Sequence, residues 1–109
     1  MHYSNYVSLC GNLLTDPEKR ELSTGTPVAN ARLAVVDRFL VNKGNDISEK
    51  TSTFNLAFYG EMAMKAIELS ANTNLWVEGS IETRSTSPTA NRHVTEIVVW
   101  RFAIVTAID

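Results

Sequence analysis

Thr51-Ser52-Thr53-Phe54-Asn55-Leu56-Ala57-Phe58-Tyr59-Gly60-Glu61-Met62-Ala63-Met64-Lys65-Ala66-Ile67-Glu68-Leu69-Ser70-Ala71 is a stretch in which the period of the chain changes. Up to Tyr59, the residues Phe54, Leu56 and Phe58 alternate with Thr53, Asn55, Ala57 and Tyr59, the two-residue period of a strand with one face turned inward. Past Gly60, the residues Met62, Ala63, Ala66, Ile67 and Ser70 fall on one side of a helix, and Glu61 and Lys65 sit four apart on the other. The pattern predicts a strand over 51–59 ended by Gly60, then a helix of about three turns over 61–71.

Outward from this switch the chain reads as strands. Upstream, Val7, Leu9, Gly11 and Leu13 alternate with Tyr6, Ser8, Cys10 and Asn12, a first strand that stops at the turn Thr15-Asp16-Pro17-Glu18. A short extension over 19–22 leads to a second turn, Ser23-Thr24-Gly25-Thr26-Pro27. The second strand, 28–39, has Ala29, Ala31, Leu33 and Val35 on one face and Asn30, Arg32, Ala34 and Val36 on the other. Residues 41–50 break the alternation with Gly, Asn, Asp and Ser, and predict a flexible hairpin tip. Downstream, Asn72-Thr73-Asn74 closes the helix, and a fourth strand follows with Leu75, Val77, Gly79 and Ile81 inward and Trp76, Glu78, Ser80 and Glu82 outward. A polar tip over 85–91 leads to a fifth strand, 93–105, with Val98, Trp100, Phe102 and Ile104 against Ile97, Val99, Ala103 and Val105. Apolar on both faces, that strand needs cover on both, from the core or from another subunit. Five strands with one helix between the third and fourth is the all-β order of an oligonucleotide-binding (OB) barrel.

With 109 residues, the chain is long enough for one domain, 1–109, and too short for two. No apolar run approaches the ~20 residues that span a bilayer, and Met1-His2-Tyr3-Ser4-Asn5-Tyr6 lacks the basic and apolar regions of a signal peptide, so no membrane role is expected. Cys10 is the single cysteine, which excludes an intrachain disulfide and fits a reducing, cytoplasmic or nucleoid-associated setting. Neither His2 nor His93 has a ligand-spaced partner, so neither a metal nor a cofactor is expected. No phosphate-binding glycine loop, nucleophile motif or placed carboxylate pair is found, and no catalytic residue is assigned: the chain does not read as an enzyme. The net charge of -2 weighs against a polyanionic partner, but binding depends on where the charge sits rather than on its sum.

The run Asn5-Tyr6-Val7-Ser8-Leu9-Cys10-Gly11-Asn12-Leu13 with Asp16-Pro17-Glu18 and Arg20 resembles the opening of bacterial-type single-stranded DNA-binding proteins. Val28-Ala29-Asn30-Ala31, Leu33-Ala34-Val35, Phe58-Tyr59-Gly60, Val77-Glu78-Gly79, Thr83-Arg84 and Thr95-Glu96-Ile97-Val98 continue the resemblance in order, across roughly residues 5 to 105. The resemblance implies an OB domain that assembles as a homotetramer and coats exposed single strands during replication, repair and recombination, alongside other replication or repair proteins. It also implies base stacking on aromatics, at Phe39 and Tyr59 by position. Two further positions that resemble the family's stacking tryptophans carry Thr53 and Thr86, and the sequence ends at Asp109 without the linker and acidic tail through which the family recruits partners.

Tyr59 shares its strand face with Thr53, Asn55 and Ala57, a composition that suits an exposed binding face better than a core. Arg38, Lys43, Lys50, Arg84 and Arg92 lie on or beside the two hairpin tips, where a phosphate backbone would pass. Asp37, Asp46 and Glu49 balance the first tip, whereas Arg84 and Arg92 have no acidic residue between them, which makes Arg84 the leading phosphate contact. Trp76, flanked on its face by Glu78, and Trp100 are expected at a subunit interface rather than on DNA. Sequence-tolerant binding of single-stranded DNA is thus the expectation. The alternative is a short, primosome-like OB adaptor with weak DNA binding and mainly protein contacts, which the missing aromatics and negative charge favour.

Overall fold

In a computed structural model, which describes residues 2–41, 46–87, 89 and 92–106, the alternating segments become strands: β1 (Val7–Leu13), β2 (Glu18–Glu21), β3 (Pro27–Val41), β4 (Asp46–Tyr59), β5 (Asn74–Ser87) and β6 (Arg92–Ile104). One helix, α1 (Glu61–Ala66), follows β4 and precedes β5 in chain order. The sheet order is β1-β5-β6-β4-β3-β2, and β1 also pairs with β3 through Asn12↔Ala34 and Leu13↔Leu33, which closes the five long strands into a barrel. β2, expected only as an extension, is a short fully exposed strand on the edge of β3. An all-β closed barrel with one short helix is consistent with an OB fold.

The alternation read from the sequence sets the core. Leu13, Leu33, Leu56, Phe58, Leu75 and Val77 are fully buried, and Phe58 meets Phe102 edge-on with ring centroids 5.5 Å apart. Two glycines let strands approach closely: a Cβ on Gly11 would collide with the Ala34 carbonyl where β1 meets β3, and one on Gly79 with the Val98 carbonyl.

Four expectations are corrected. The helix stops at Ala66, because the next turns tighten: Glu68 N donates to Lys65 O and Leu69 N to Ala66 O, three residues back rather than four. Leu69 therefore enters the core, and Ser70, expected on the inner side, is exposed. The expected tip over 41–50 is largely strand, since the β3–β4 ladder continues through Arg38↔Glu49 and Leu40↔Ile47 to Val41↔Asp46. Only residues 42–45, Lys43 among them, lie outside the described residues in that segment.

The other two concern β5 and β6. Gly79 pairs with Val99 and Glu78 with Arg101, so Trp100 is an unpaired extra residue, a bulge that shifts the phase of β6. Ile97 and Val99 point inward before it and Phe102 after it, so Val98, Trp100 and Phe102 do not share the one face expected of them. On β5, Ile81 is 48% exposed rather than inward, because it lies beyond Val7↔Gly79, the last pairing with β1. There Asn5 takes the place of a strand: its side-chain amide donates to Ile81 O at 2.7 Å and accepts from Ile81 N at 2.9 Å.

Candidate nucleic-acid interface

The β3–β4 register decides which side chains share a surface. Arg32↔Asn55, Ala34↔Thr53 and Arg38↔Glu49 stand on the outer side of the ribbon, with Tyr59 continuing that row along β4. β6 joins β4 in parallel at Ala57↔Val98, which brings Val94 and Glu96 into the same face, and Val94↔Arg84 carries it onto β5. An open groove of about 480 Å³ results, with Arg20, Arg32 and Arg84 on its walls among Asn30, Asn55, Glu18 and Glu96.

Glu96 organises the floor. Its carboxylate is buried, and Oε1 accepts both the Tyr59 hydroxyl at 3.2 Å and the Arg84 Nε at 3.1 Å. Burial, then the charge and hydrogen bond of Glu96, raise the Tyr59 phenol above its ordinary value of 10.0, so it stays neutral at physiological pH. The absence of an acidic residue between Arg84 and Arg92 does not leave Arg84 unpaired: its partner lies twelve residues on, across the strand pair. Arg84 nevertheless keeps 40% of its side chain exposed. On the opposite wall, Arg20 Nε donates to Asn30 Oδ1 at 2.8 Å. Arg32 is exposed, and its side chain has no hydrogen-bond or ion-pair partner among the described residues.

The structure brings Asn55, Arg84, Tyr59 and Thr53 together on or beside the groove and places others apart from it. Phe39 is 49% exposed opposite Ser48, in the row of Leu33 and Phe54, so the pleat sets it on the other side of the ribbon from Tyr59. Eleven rungs separate the two, roughly 35 Å at the usual strand rise. Lys50, opposite Asp37, shares the side of Phe39. Arg38 is on the outer side but paired with Glu49 at 3.0 Å, both well exposed, as the charge balance of that arm anticipates. Thr86 sits at a register shift, with its hydroxyl against the Arg92 carbonyl at 3.5 Å, and Arg92 is exposed. Arg20 and Arg32 are the groove cations that the sequence reading did not single out. The alternation had put Arg32 outward, and pairing it with Asn55 would have pointed to it.

Trp76 and Trp100 lie away from the groove, around β1, β5 and β6. Trp76 is half-buried, donates to Ser8 Oγ at 3.0 Å and carries the Arg101 guanidinium 5.9 Å from its ring. Trp100 is 49% exposed, tilted against Tyr6 with centroids 6.2 Å apart. Tyr6 and Arg101 both bond the Glu78 carboxylate, and those contacts, the Tyr6 hydrogen bond first, hold it below its ordinary value. This explains how Glu78 can be buried on an outward position. Among the described residues no group of His, Cys, Asp or Glu could hold a metal ion, and no helix is long and apolar enough to cross a membrane.

A closed barrel with an arginine-walled groove across β3, β4, β6 and β5 is the architecture of the OB-fold class. The model of the single-strand binding protein family matches residues 4–105, and the chain belongs to that family. A curated relative, the single-stranded DNA-binding protein of Rhizobium meliloti (strain 1021), is 32% identical over 102 residues. The match covers 90% of this chain, which spans 59% of that relative. The fold is similar to that of a Plasmodium falciparum single-strand binding protein solved in complex with single-stranded DNA (TM-score 0.82, 21% identity, 97% of this chain and 98% of that one). It is also similar to a small single-stranded DNA-binding protein from Streptomyces coelicolor (TM-score 0.75, 22% identity, 95% and 96%).

The Glu96 junction makes Arg84 a structural residue as well as a candidate contact. Arg84→Ala should lower the unfolding free energy by about 1–2 kcal/mol, less than the ~3–5 for breaking a fully buried pair because Arg84 is 40% exposed. Adding Glu96→Gln should recover most of that loss, since no buried charge then lacks a partner. Urea unfolding of the two variants checks both signs; equal stability of Arg84→Ala and the native protein would refute the junction.

Proposed function

We propose that the chain binds single-stranded DNA with little sequence preference, laying the strand through the groove between Arg20, Arg32 and Arg84 and along the outer row Tyr59, Asn55 and Thr53. The observation that carries this reading is the groove itself: three arginines on its walls, one of them without a partner among the described residues, in a chain of the single-strand binding protein family. Arginine contacts to phosphate give affinity without reading sequence, and a ring such as that of Tyr59 offers a stacking surface to any base. The proposed role follows the relatives: holding exposed single strands during replication, recombination and repair, in the cytoplasm or nucleoid, with no chemistry performed on the DNA. Phe39, Lys50 and Arg92 would meet the strand only if it wraps beyond the groove onto the two arms.

The second part of the reading is a homo-oligomer, proposed as a tetramer, built on the face of Tyr6, Trp76 and Trp100. The exposed rings of Tyr6 and Trp100, packed against each other, favour it. Light scattering at micromolar concentration should give four times the chain mass, and a monomer would overturn this part alone.

Titration with fluorescent oligo-dT tests the binding reading: tight at low salt, weaker as salt rises, and much weaker for duplex of the same length. Tyr59→Ala should lose about 1–3 kcal/mol of binding that persists at high salt, whereas Tyr59→Phe, which keeps the ring, should lose little. No measurable oligo-dT binding by the folded protein would hand the lead to the adaptor reading, which the internal pairing of Arg38 and Arg84 favours.

A further inference from the structure

Three arginines line the groove, but they are not electrostatically equivalent. Arg32 is exposed and unpaired among the described residues, and Arg20 is bonded to a neutral amide, whereas Arg84 bonds a carboxylate with only 3% of its side chain exposed. Arg84 bonds Oε1 of Glu96 through Nε, so the terminal amino groups of the guanidinium are not committed to the carboxylate. Glu96 is itself fixed, since Tyr59 donates to the same oxygen at 3.2 Å. Glu82 stands directly opposite Glu96 in the β5–β6 ladder and turns to the Ser80 hydroxyl at 2.8 Å, so Arg84 is the cation that offsets the buried charge.

We propose that Glu96 is a built-in counter-ion and positioning residue for the phosphate contact of Arg84, and thereby sets the salt dependence of single-strand binding. The inference rests on the proposed binding of single-stranded DNA. A free surface cation such as Arg32 gathers solution anions and releases them when a phosphate arrives, which is the source of the salt dependence. Arg84 is already neutralised by a carboxylate that cannot leave. A phosphate that reaches its terminal amino groups finds an oriented hydrogen-bond donor but displaces few solution ions. The groove should therefore be less salt-sensitive than its arginine count implies, with Arg84 adding geometry and Arg32 adding the electrolyte response.

The test is the slope of log affinity for oligo-dT against log salt concentration. Glu96→Gln, which keeps the shape of the side chain, should steepen the slope by about 0.7, the increment for one phosphate contact on a single strand. Binding should then be about eightfold tighter near 50 mM salt, with the difference closing near 1 M, by the same increment. In the double variant Arg84→Gln/Glu96→Gln the steepening should vanish; if it persists, Glu96 acts by general repulsion and the inference falls. Single variants give a second reading that does not depend on the folding of Glu96→Gln: Arg32→Gln should flatten the slope by about 0.7 and Arg84→Gln by much less. Equal flattening by both overturns the counter-ion role while leaving single-strand binding intact. A native protein that binds no oligo-dT overturns the binding reading and this inference together.

Discussion

The pairing of β3 with β4, running without a break from Val28↔Tyr59 to Val41↔Asp46, is the constraint on which the rest of the molecule depends. Because side chains alternate across a strand, this one register sends Leu33, Phe54, Ala31 and Leu56 toward the core and Arg32, Asn55, Ala34 and Thr53 to the outer face. A slip by one residue would exchange the two sets, placing Arg32 in the core and Leu33 in the groove. The cost of burying an unpaired guanidinium beside lost apolar burial fixes the register, so the forces that fold the barrel also display the candidate site.

The second dependence is the junction at Glu96, where β4, β5 and β6 meet through one carboxylate. Tyr59 from β4 and Arg84 from β5 both bond the Glu96 carboxylate on β6, on the face that the parallel Leu56↔Ile97 and Ala57↔Val98 pairing creates. Fold and site cannot be separated there: one of the arginines on the groove wall also holds a buried charge in place. Farther back along β5, in the same outward row as Arg84, Glu78 likewise bonds a tyrosine and an arginine, Tyr6 and Arg101, but with Trp76 and Trp100 nearby instead of further cations. The two carboxylates mark two regions of different character, one polar and arginine-walled, one aromatic.

Much of the fold was legible in the sequence because the barrel obeys the two-residue period almost everywhere. The inward sets of β1, β3 and β4, and the switch of period at Gly60, needed nothing beyond the alternation of Val, Leu and Phe with Ser, Thr and Asn. What escaped were places where the partner, not the local pattern, decides. The bulge at Trp100 arises because Gly79 meets Val99 while Glu78 meets Arg101, and nothing within β6 announces it. The arm of β3 and β4 extends through 46–50 because cross-strand pairing outlasts the hydrophobic alternation. For the site, Asn55, Tyr59 and Arg84 were singled out and lie on or beside the groove, whereas Arg32 was placed outward without being singled out. The ion pair of Arg84 was hidden because Glu96 is twelve residues away in sequence and adjacent only once β5 and β6 are paired.

The distribution of aromatics offers the most direct test of where a single strand runs. Tyr59 bonds Glu96 at the groove, whereas Tyr6, Trp76 and Trp100 cluster about Glu78 and Arg101, toward the start of β5. Photocross-linking of an oligo-dT carrying 5-iododeoxyuridine, followed by mass-spectrometric mapping of the linked peptide, discriminates the two regions. The account predicts cross-links at Tyr59, lost in Tyr59→Ala without loss of fold. Cross-links confined to Tyr6, Trp76 or Trp100 would place the strand on the aromatic region and contradict the assignment of the groove.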